Sequence, residues 1–277
     1  MSRRTMRVAG RRAFASQSTR SPPSSSSSPS ASPSILTGWD ARWGVLERSL
    51  LRLPRLLNYQ RQGLFAPSLS SVHHAFLYHA LNAPQRIDLD LPEFLRGAAI
   101  AAKRVIEDAN SREFREFVVT RRRPLDRESV VGRMQAYCMP MCFSQLQVAL
   151  HRALVQNPNV RLVDIDIDSV YLTRAMYARL TEEEYSYEFR GQHPLTAPAD
   201  GDHDHPSVER LQLQVEVRTT EQVEQKDGNA VSHLEQRNVY VAKLTSRVTT
   251  PEELDWRLSS IAVRTRGKPK LLARAHV

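Results

Sequence analysis

Between residues 91 and 155 the apolar positions of this chain recur at three- and four-residue spacing, and beyond residue 160 they recur at two. The first period belongs to amphipathic helices, the second to half-buried strands. Asp90-Leu91-Pro92-Glu93 opens the clearest helix, because proline suits its first turn and an acid favours the positive N-terminal dipole. Phe94, Ala98, Ala101 and Val105 form its apolar stripe, and Gly97, Ala99 and Ala102 keep its surface small. Ser111 caps a second helix with Glu113 behind it and Phe114, Phe117 and Val118 inward. A third helix covers Phe143–Val155 with Leu146, Ala149, Leu150, Ala153 and Leu154 inward, and Pro140 marks a break before it. Upstream, the apolar segment Val72–Leu81 stops at the turn Asn82-Ala83-Pro84.

In the second half Val163, Ile165 and Ile167 alternate with Asp164, Asp166 and Asp168, and Leu211, Leu213, Val215 and Val217 alternate with polar residues. Lys226-Asp227-Gly228-Asn229 supplies turn chemistry, with a loose pairing expected across a long connection. Val239, Val241, Leu244 and Val248 mark a third strand with a face change near Lys243, and Leu254, Trp256, Leu258 and Ile261 a last one. Helices first and a meander of strands afterwards predict an α+β fold, with helices packed on one face of a curved antiparallel sheet.

Residues 43–57 carry a different pattern. Trp43, Leu46, Leu50, Leu53 and Leu57 form a helical stripe, Arg48, Arg52 and Arg55 fall between them, and Pro54 ends the first helical piece. Such a basic amphipathic element either touches an anionic membrane surface or a partner, or packs on its own domain with its arginines reaching past the apolar stem.

Charge changes the picture at the N-terminus. The chain has 39 Lys+Arg and 30 Asp+Glu, a net charge of +9 that points first to nucleic acid. Residues 1–39 hold six arginines and no acid, so residues 40–277 carry only 33 basic against 30 acidic groups. The basic surplus belongs to the tail, and DNA is not an expected partner. Arg-rich, Ser-rich and acid-free composition is that of an organelle transit peptide, and the membrane potential would draw its positive charge into mitochondria. Arg12-Ala13-Phe14-Ala15 resembles a matrix-peptidase site, with Arg12 placing the cut between Phe14 and Ala15. A Ser/Pro linker follows, too polar to bury a core.

The sequence offers little specific chemistry. Cys138 and Cys142 do not have the spacing of zinc or redox motifs and read as small buried residues. Adjacent His73 and His74 point to different sides of a helix. His193, His203 and His205 stand with Asp200, Asp202 and Asp204 in a Gly/Pro-rich loop that nothing rigid holds, and Asp164, Asp166 and Asp168 read as a solvated strand face. Arg121-Arg122-Arg123 before Pro124 reads as a solvated helix end. No phosphate-loop, dinucleotide, zinc-protease or serine-hydrolase motif occurs, so no catalytic, cofactor-binding or metal residue is expected.

Two sets of residues carry a family resemblance. Asp90-x-x-Glu93-Phe94-x-x-Gly97-Ala98, followed by Arg112-Glu113-Phe114-x-x-Phe117-Val118, resembles the opening of the import-motor-scaffold (Tim-forty-four-like) domain. Asn238-Val239-Tyr240-Val241-Ala242-Lys243-Leu244-x-Ser246, then Glu252-x-Leu254-Asp255-Trp256-x-Leu258-x-x-Ile261, is similar to its closing strands. The order of parts and the strand Asp164–Tyr171 are most similar to the m-AAA protease-interacting branch. The resemblance implies a cone-shaped, nuclear-transport-factor-2-like domain in the mitochondrial matrix, peripheral to the inner membrane, whose members bind proteins or ribosomes. A long polar insertion around residues 191–207 sets this chain apart.

The resulting division is a transit peptide and linker over 1–39, a basic amphipathic segment over 40–64, the α+β domain over 65–265 and a basic tail over 266–277. The expected function is a non-enzymatic matrix adaptor. Its partners would be an inner-membrane protease or the clients of that protease, with Trp43, Arg48, Arg52 and Arg55 touching lipid or partner and an apolar concavity beside the Phe94–Val105 helix. Two alternatives stand beside it. One is a large-subunit mitochondrial ribosomal protein that tethers the ribosome to the membrane, against which the modest charge of residues 40–277 argues. The other is an enzyme on the same cone, which needs a pocket with a buried acid, tyrosine or histidine that sequence does not place.

Overall fold

The computed structural model describes residues 36–121, 128–190 and 208–276. The expectations for Arg12, Phe14 and Ala15, for Arg122 and Arg123, and for the His193–His205 loop lie outside them. Eight helices are described: α1 (Leu36–Leu51), α2 (Leu53–Arg61), α3 (Ser71–Leu81), α4 (Leu91–Asn110), α5 (Arg112–Thr120), α6 (Val130–Tyr137), α7 (Pro140–Gln156) and α8 (Glu182–Arg190). Five strands, β1 (Val160–Leu180), β2 (Val208–Asp227), β3 (Ala230–Arg247), β4 (Arg257–Arg266) and β5 (Lys270–His276), pair antiparallel into one open sheet, and α8 lies between β1 and β2 in the chain.

Local chemistry sets most boundaries. Ser111 Oγ accepts the Phe114 N–H at 3.2 Å and starts α5, and Ser70 and Ser129 cap α3 and α6 in the same way. Pro92 sits in the first turn of α4, although the Asp90 side chain makes no capping bond. Pro140 likewise opens α7 rather than interrupting it, since a proline in the first turn loses no helical hydrogen bond. Pro54 sits in the first turn of α2, which only Arg52 separates from α1.

β1, β2, β3 and β4 stand side by side in that order, and β5 continues along the same edge of β3 that β4 uses. Gly228 and Asn229 close β2 onto β3 in a two-residue hairpin, tighter than the loose connection expected, because Gly228 takes a φ of +58° at the first central position. Three bulges interrupt the β1–β2 register, at Val163, Asp168 and Thr173, and bend the strand. The first corrects the expected alternation: Val163 is the extra residue and is 54 % exposed, whereas Ile165 is buried.

The helices and one face of the sheet share a single core. Leu211, Leu213, Val215 and Val217 of β2 are fully buried with Leu172 of β1 and Ala242, Leu244 and Val248 of the β3 side, against Phe94, Ala98, Val105, Phe114 and Met134. On β3 the residues in register with this face are Tyr240, Ala242 and Leu244, so Val239 and Val241 point to the other side. Trp256 stacks obliquely on Phe94 with ring centroids 4.7 Å apart. Phe65 bridges the free edge of β1 at Leu172, and Cys138 bridges β4 at Leu258.

Two expected boundaries do not divide the structure. Leu56 and Tyr59 of α2 belong to the same core as α4 and the sheet, so the 40–64 segment is part of the domain. Residues 270–276 are strand rather than tail, with Lys270–His276 laid against Ala230–Glu235. The join is tight: Gly267 N–H donates to the Arg237 carbonyl at 2.7 Å, and a Cβ on Gly267 would lie 2.4 Å from that oxygen.

Candidate functional site

The first site built from the expected residues is the α1–α2 elbow. A basic stripe among leucines could face lipid, but the arginines lie at the surface bonded to the α3–α4 connection. Arg48 reaches the carbonyls of Asn82 and Ala83, each at 3.4 Å. Arg52 Nη1 donates to Asp88 Oδ1 at 2.9 Å and to Asn82 Oδ1 at 3.1 Å, and Arg55 Nη1 donates to the same Asp88 oxygen at 2.7 Å. The Arg52 carbonyl in turn accepts the Tyr78 hydroxyl at 2.7 Å. The hydrogen bond with Asp88 raises the Arg55 pKa. These contacts fasten the elbow to the α3–α4 connection.

The apolar stripe is what remains outside. Trp43 is 62 % exposed, Leu50 60 % and Leu51 75 %, and Leu46, Leu53 and Leu57 are also exposed. Phe76 and Val72, one turn apart on α3, are exposed as well. These large apolar side chains are exposed on helices that are otherwise pinned to their domain. Sequence placed Trp43, Leu46, Leu50, Leu53 and Leu57 on one helical stripe and left open whether it docks or packs on its own domain. It assigned Arg48, Arg52 and Arg55 to the docking face, whereas their bonds to Asn82, Ala83 and Asp88 commit them to holding the elbow.

The second site is the groove between α4, α7 and the sheet, with a volume of about 550 Å³. Its helical walls are Val105, Ile106 and Ala109 of α4 and Leu146, Ala149, Leu150 and Ala153 of α7. Ala149 and Ala153 were expected inward and are exposed, because they line this groove instead of packing. The sheet side mixes apolar Leu162, Val223 and Ile261 with a set of polar groups. In register across β2 and β3, on the face the helices cover, stand Thr219 with Asn238 and Glu221 with Gln236, and Arg266 of β4 lies opposite Asn238.

Glu221 is 6 % exposed, and its Oε1 accepts the Tyr240 hydroxyl at 2.7 Å and the Thr219 hydroxyl at 2.9 Å. Burial, then the charge of Glu221, raises the Tyr240 pKa far above its ordinary value. Asn238 is 4 % exposed and its Oδ1 has no hydrogen-bond partner, which costs about 1–3 kcal/mol in a buried group. Two hydroxyls thus donate to one and the same carboxylate oxygen. Sequence reasoning missed this cluster. The available signal was the phase of β2, whose inward positions run Leu211, Leu213, Val215, Val217 and then turn polar at Thr219 and Glu221 before Val223.

The other candidates do not converge. Cys138 and Cys142 are buried free thiols, and the hydrogen bond between them, with burial, raises the Cys138 pKa well above the thiol range. Asp168 accepts from Thr220, Asp166 faces Lys103 at 3.8 Å and Asp164 bonds the next backbone N–H, so the three carboxylates are spent separately. His73 is exposed while His74 stacks on Phe65 at 4.5 Å. Tyr137, Tyr171 and Tyr187 do not line the groove, and Arg121 is an exposed, left-handed helix cap with a φ of 55°. Among the described residues no helix is long and apolar enough to cross a membrane, and no three His, Cys, Asp or Glu side chains gather as a metal site. Comparison of the chain with family models, with curated proteins and with solved structures finds no match.

Proposed function

We propose that this chain is a non-enzymatic adaptor of the mitochondrial matrix, peripheral to the inner membrane, built on a cone-shaped domain of the import-motor-scaffold type. It holds an inner-membrane protease, or the membrane proteins that protease matures, as the resembling m-AAA protease-interacting branch does. The observation that carries the reading is the α1–α2 elbow. Its arginines are used to fix its position, and its tryptophan and leucines are left free to dock. An open five-stranded antiparallel sheet covered on one face by helices is compatible with the cone. The resemblance on Asp90–Ala98 and Asn238–Ile261 supplies the compartment and the partner class. The acid-free residues 1–39 support import.

Affinity purification of the tagged protein from isolated mitochondria tests the proposal. Recovery of an inner-membrane protease with its clients supports it. Recovery of neither a protease nor any translocase or ribosomal component contradicts it. Contact with the large ribosomal subunit is the second reading, and one feature favours it: residues 257–277 hold six Lys or Arg and no acid, and they form the β4–β5 edge of the sheet. That reading predicts co-sedimentation with the large subunit that weakens steeply with salt.

A further inference from the structure

The α4–α7 groove leaves polar groups unsatisfied at both of its ends. At one end stand Asn238, whose buried Oδ1 has no partner, and Glu221, whose two hydrogen bonds both go to Oε1. At the other end is Arg115 of α5. Its Nη2 donates to the Val160 carbonyl at 2.5 Å, its Nε is buried without a partner, and no carboxylate among the described residues pairs with it. Burial, then the neighbouring charge of Arg161, lowers its pKa, as expected of a cation that nothing offsets. Val160 lies four paired positions along β1 from Ile165, the residue opposite Glu221, so roughly 13 Å of strand separates the two ends. Between them the walls are apolar: Ile106, Leu146, Leu150, Leu162 and Val223.

We infer that this groove binds a small amphipathic carboxylate, with its acid group on Arg115, its apolar body between α7 and the sheet, and a terminal hydroxyl donating to the Glu221–Asn238 acceptor pair. A volume of about 550 Å³ lies within the range of small-molecule sites. The sign of the head group follows from what is already paired. Glu221 has two donors of its own and Arg266 lies at that same end, opposite Asn238, whereas Arg115 has no acid and Arg161 adds a second positive charge beside it. An ammonium head would meet two guanidiniums. An anion offsets the one the fold leaves bare. The inference stands apart from the adaptor reading and from whatever docks on the elbow.

Isothermal titration of the purified full chain with decanoate, ω-hydroxydecanoate, decanol and decylamine tests it. Decanoate should saturate a single site about tenfold more tightly than decanol, the advantage of one charge-assisted contact, and ω-hydroxydecanoate more tightly still. Arg115→Gln should reduce decanoate to the level of decanol. Ala149→Trp, on the exposed groove-lining face of α7, should abolish binding of all four with an unchanged melting temperature. Decylamine binding as tightly as decanoate, or no saturable binding, would overturn the assignment. So would decanoate affinity unchanged by Ala149→Trp. Equal affinity for decanoate and ω-hydroxydecanoate would remove the Glu221–Asn238 end from the site. Should Arg115→Gln fail to fold, the comparison of acid with amine and the Ala149→Trp arm still decide.

Discussion

Tyr240 donates its hydroxyl to Glu221 Oε1 across 2.7 Å on the face of the sheet that the helices cover. A carboxylate 6 % exposed is tolerated there because Tyr240 and Thr219 supply the hydrogen bonds that water would have given. Tyr240→Phe should therefore destabilise the domain by about 1.5–3 kcal/mol, the usual contribution of a hydrogen bond to a charged group. Urea unfolding at neutral pH measures it. The raised pKa of Tyr240 gives a second readout. Above pH about 10 tyrosines of the unfolded chain ionise while Tyr240 does not, so stability falls as pH rises, and the Phe variant should fall less steeply.

Gly267 sits where β4 passes into β5, and a methyl group there would meet the Arg237 carbonyl at 2.4 Å. Backbone cannot swing aside as a side chain can. Gly267→Ala should cost about 1–3 kcal/mol, the range of overpacked sites, and should free the amides of residues 270–276 to exchange. Hydrogen exchange resolved by residue checks both the loss and its location. Unchanged protection of β5 would show that the join is looser than this geometry requires.

His74 is stacked on Phe65, its Nε2 is buried without a partner, and burial lowers its pKa. The unfolded chain then binds this proton more readily than the folded one. The corresponding stability is present above pH about 6.5 and is lost as pH falls through the lower folded-state value. His74→Phe should flatten the pH dependence of the melting temperature between pH 5 and 7 at roughly unchanged stability near pH 7.5. A slope identical to that of the parent chain would contradict the burial argument.

Asp88 holds Arg52 and Arg55 through one carboxylate oxygen. Exposed ion pairs contribute about 0–1 kcal/mol, so Asp88→Asn should move global stability little. Its effect should be local, because this contact fixes the angle at which the elbow leaves the domain. Limited trypsin digestion should cut faster at Arg52, Arg55 and Arg61 in the variant, with the rest of the chain as resistant as before.

Much of the architecture was legible because it is written locally. Ser111, Pro92 and the Gly228 turn act within a few residues, and the inward stripe Leu211–Val217 keeps one period throughout. What sequence missed depends on distant partners. Val163 faces outward because a bulge shifts the register by one, which flips the side of every residue near it. Residues 270–276 have a tail's composition, and only Ala230–Glu235 make them a strand. Arg48, Arg52 and Arg55 look available until Asp88 and the Asn82–Ala83 carbonyls arrive from the next helix connection. The groove was hidden for the same reason. Thr219, Glu221, Asn238 and Arg266 come from three strands, and only pairing gathers them.

The central claim is that the exposed stripe of the elbow is the surface by which this domain holds its partner. Side-by-side affinity purification from isolated mitochondria, with the parent chain and with a Trp43→Ala, Leu50→Ala, Leu51→Ala variant, tests it most directly. All three residues are exposed, so the variant should fold and melt as the parent does. The account predicts that the parent recovers an inner-membrane protease or its client proteins and that the variant loses them. Recovery of the same proteins in the same amounts by both chains would contradict it.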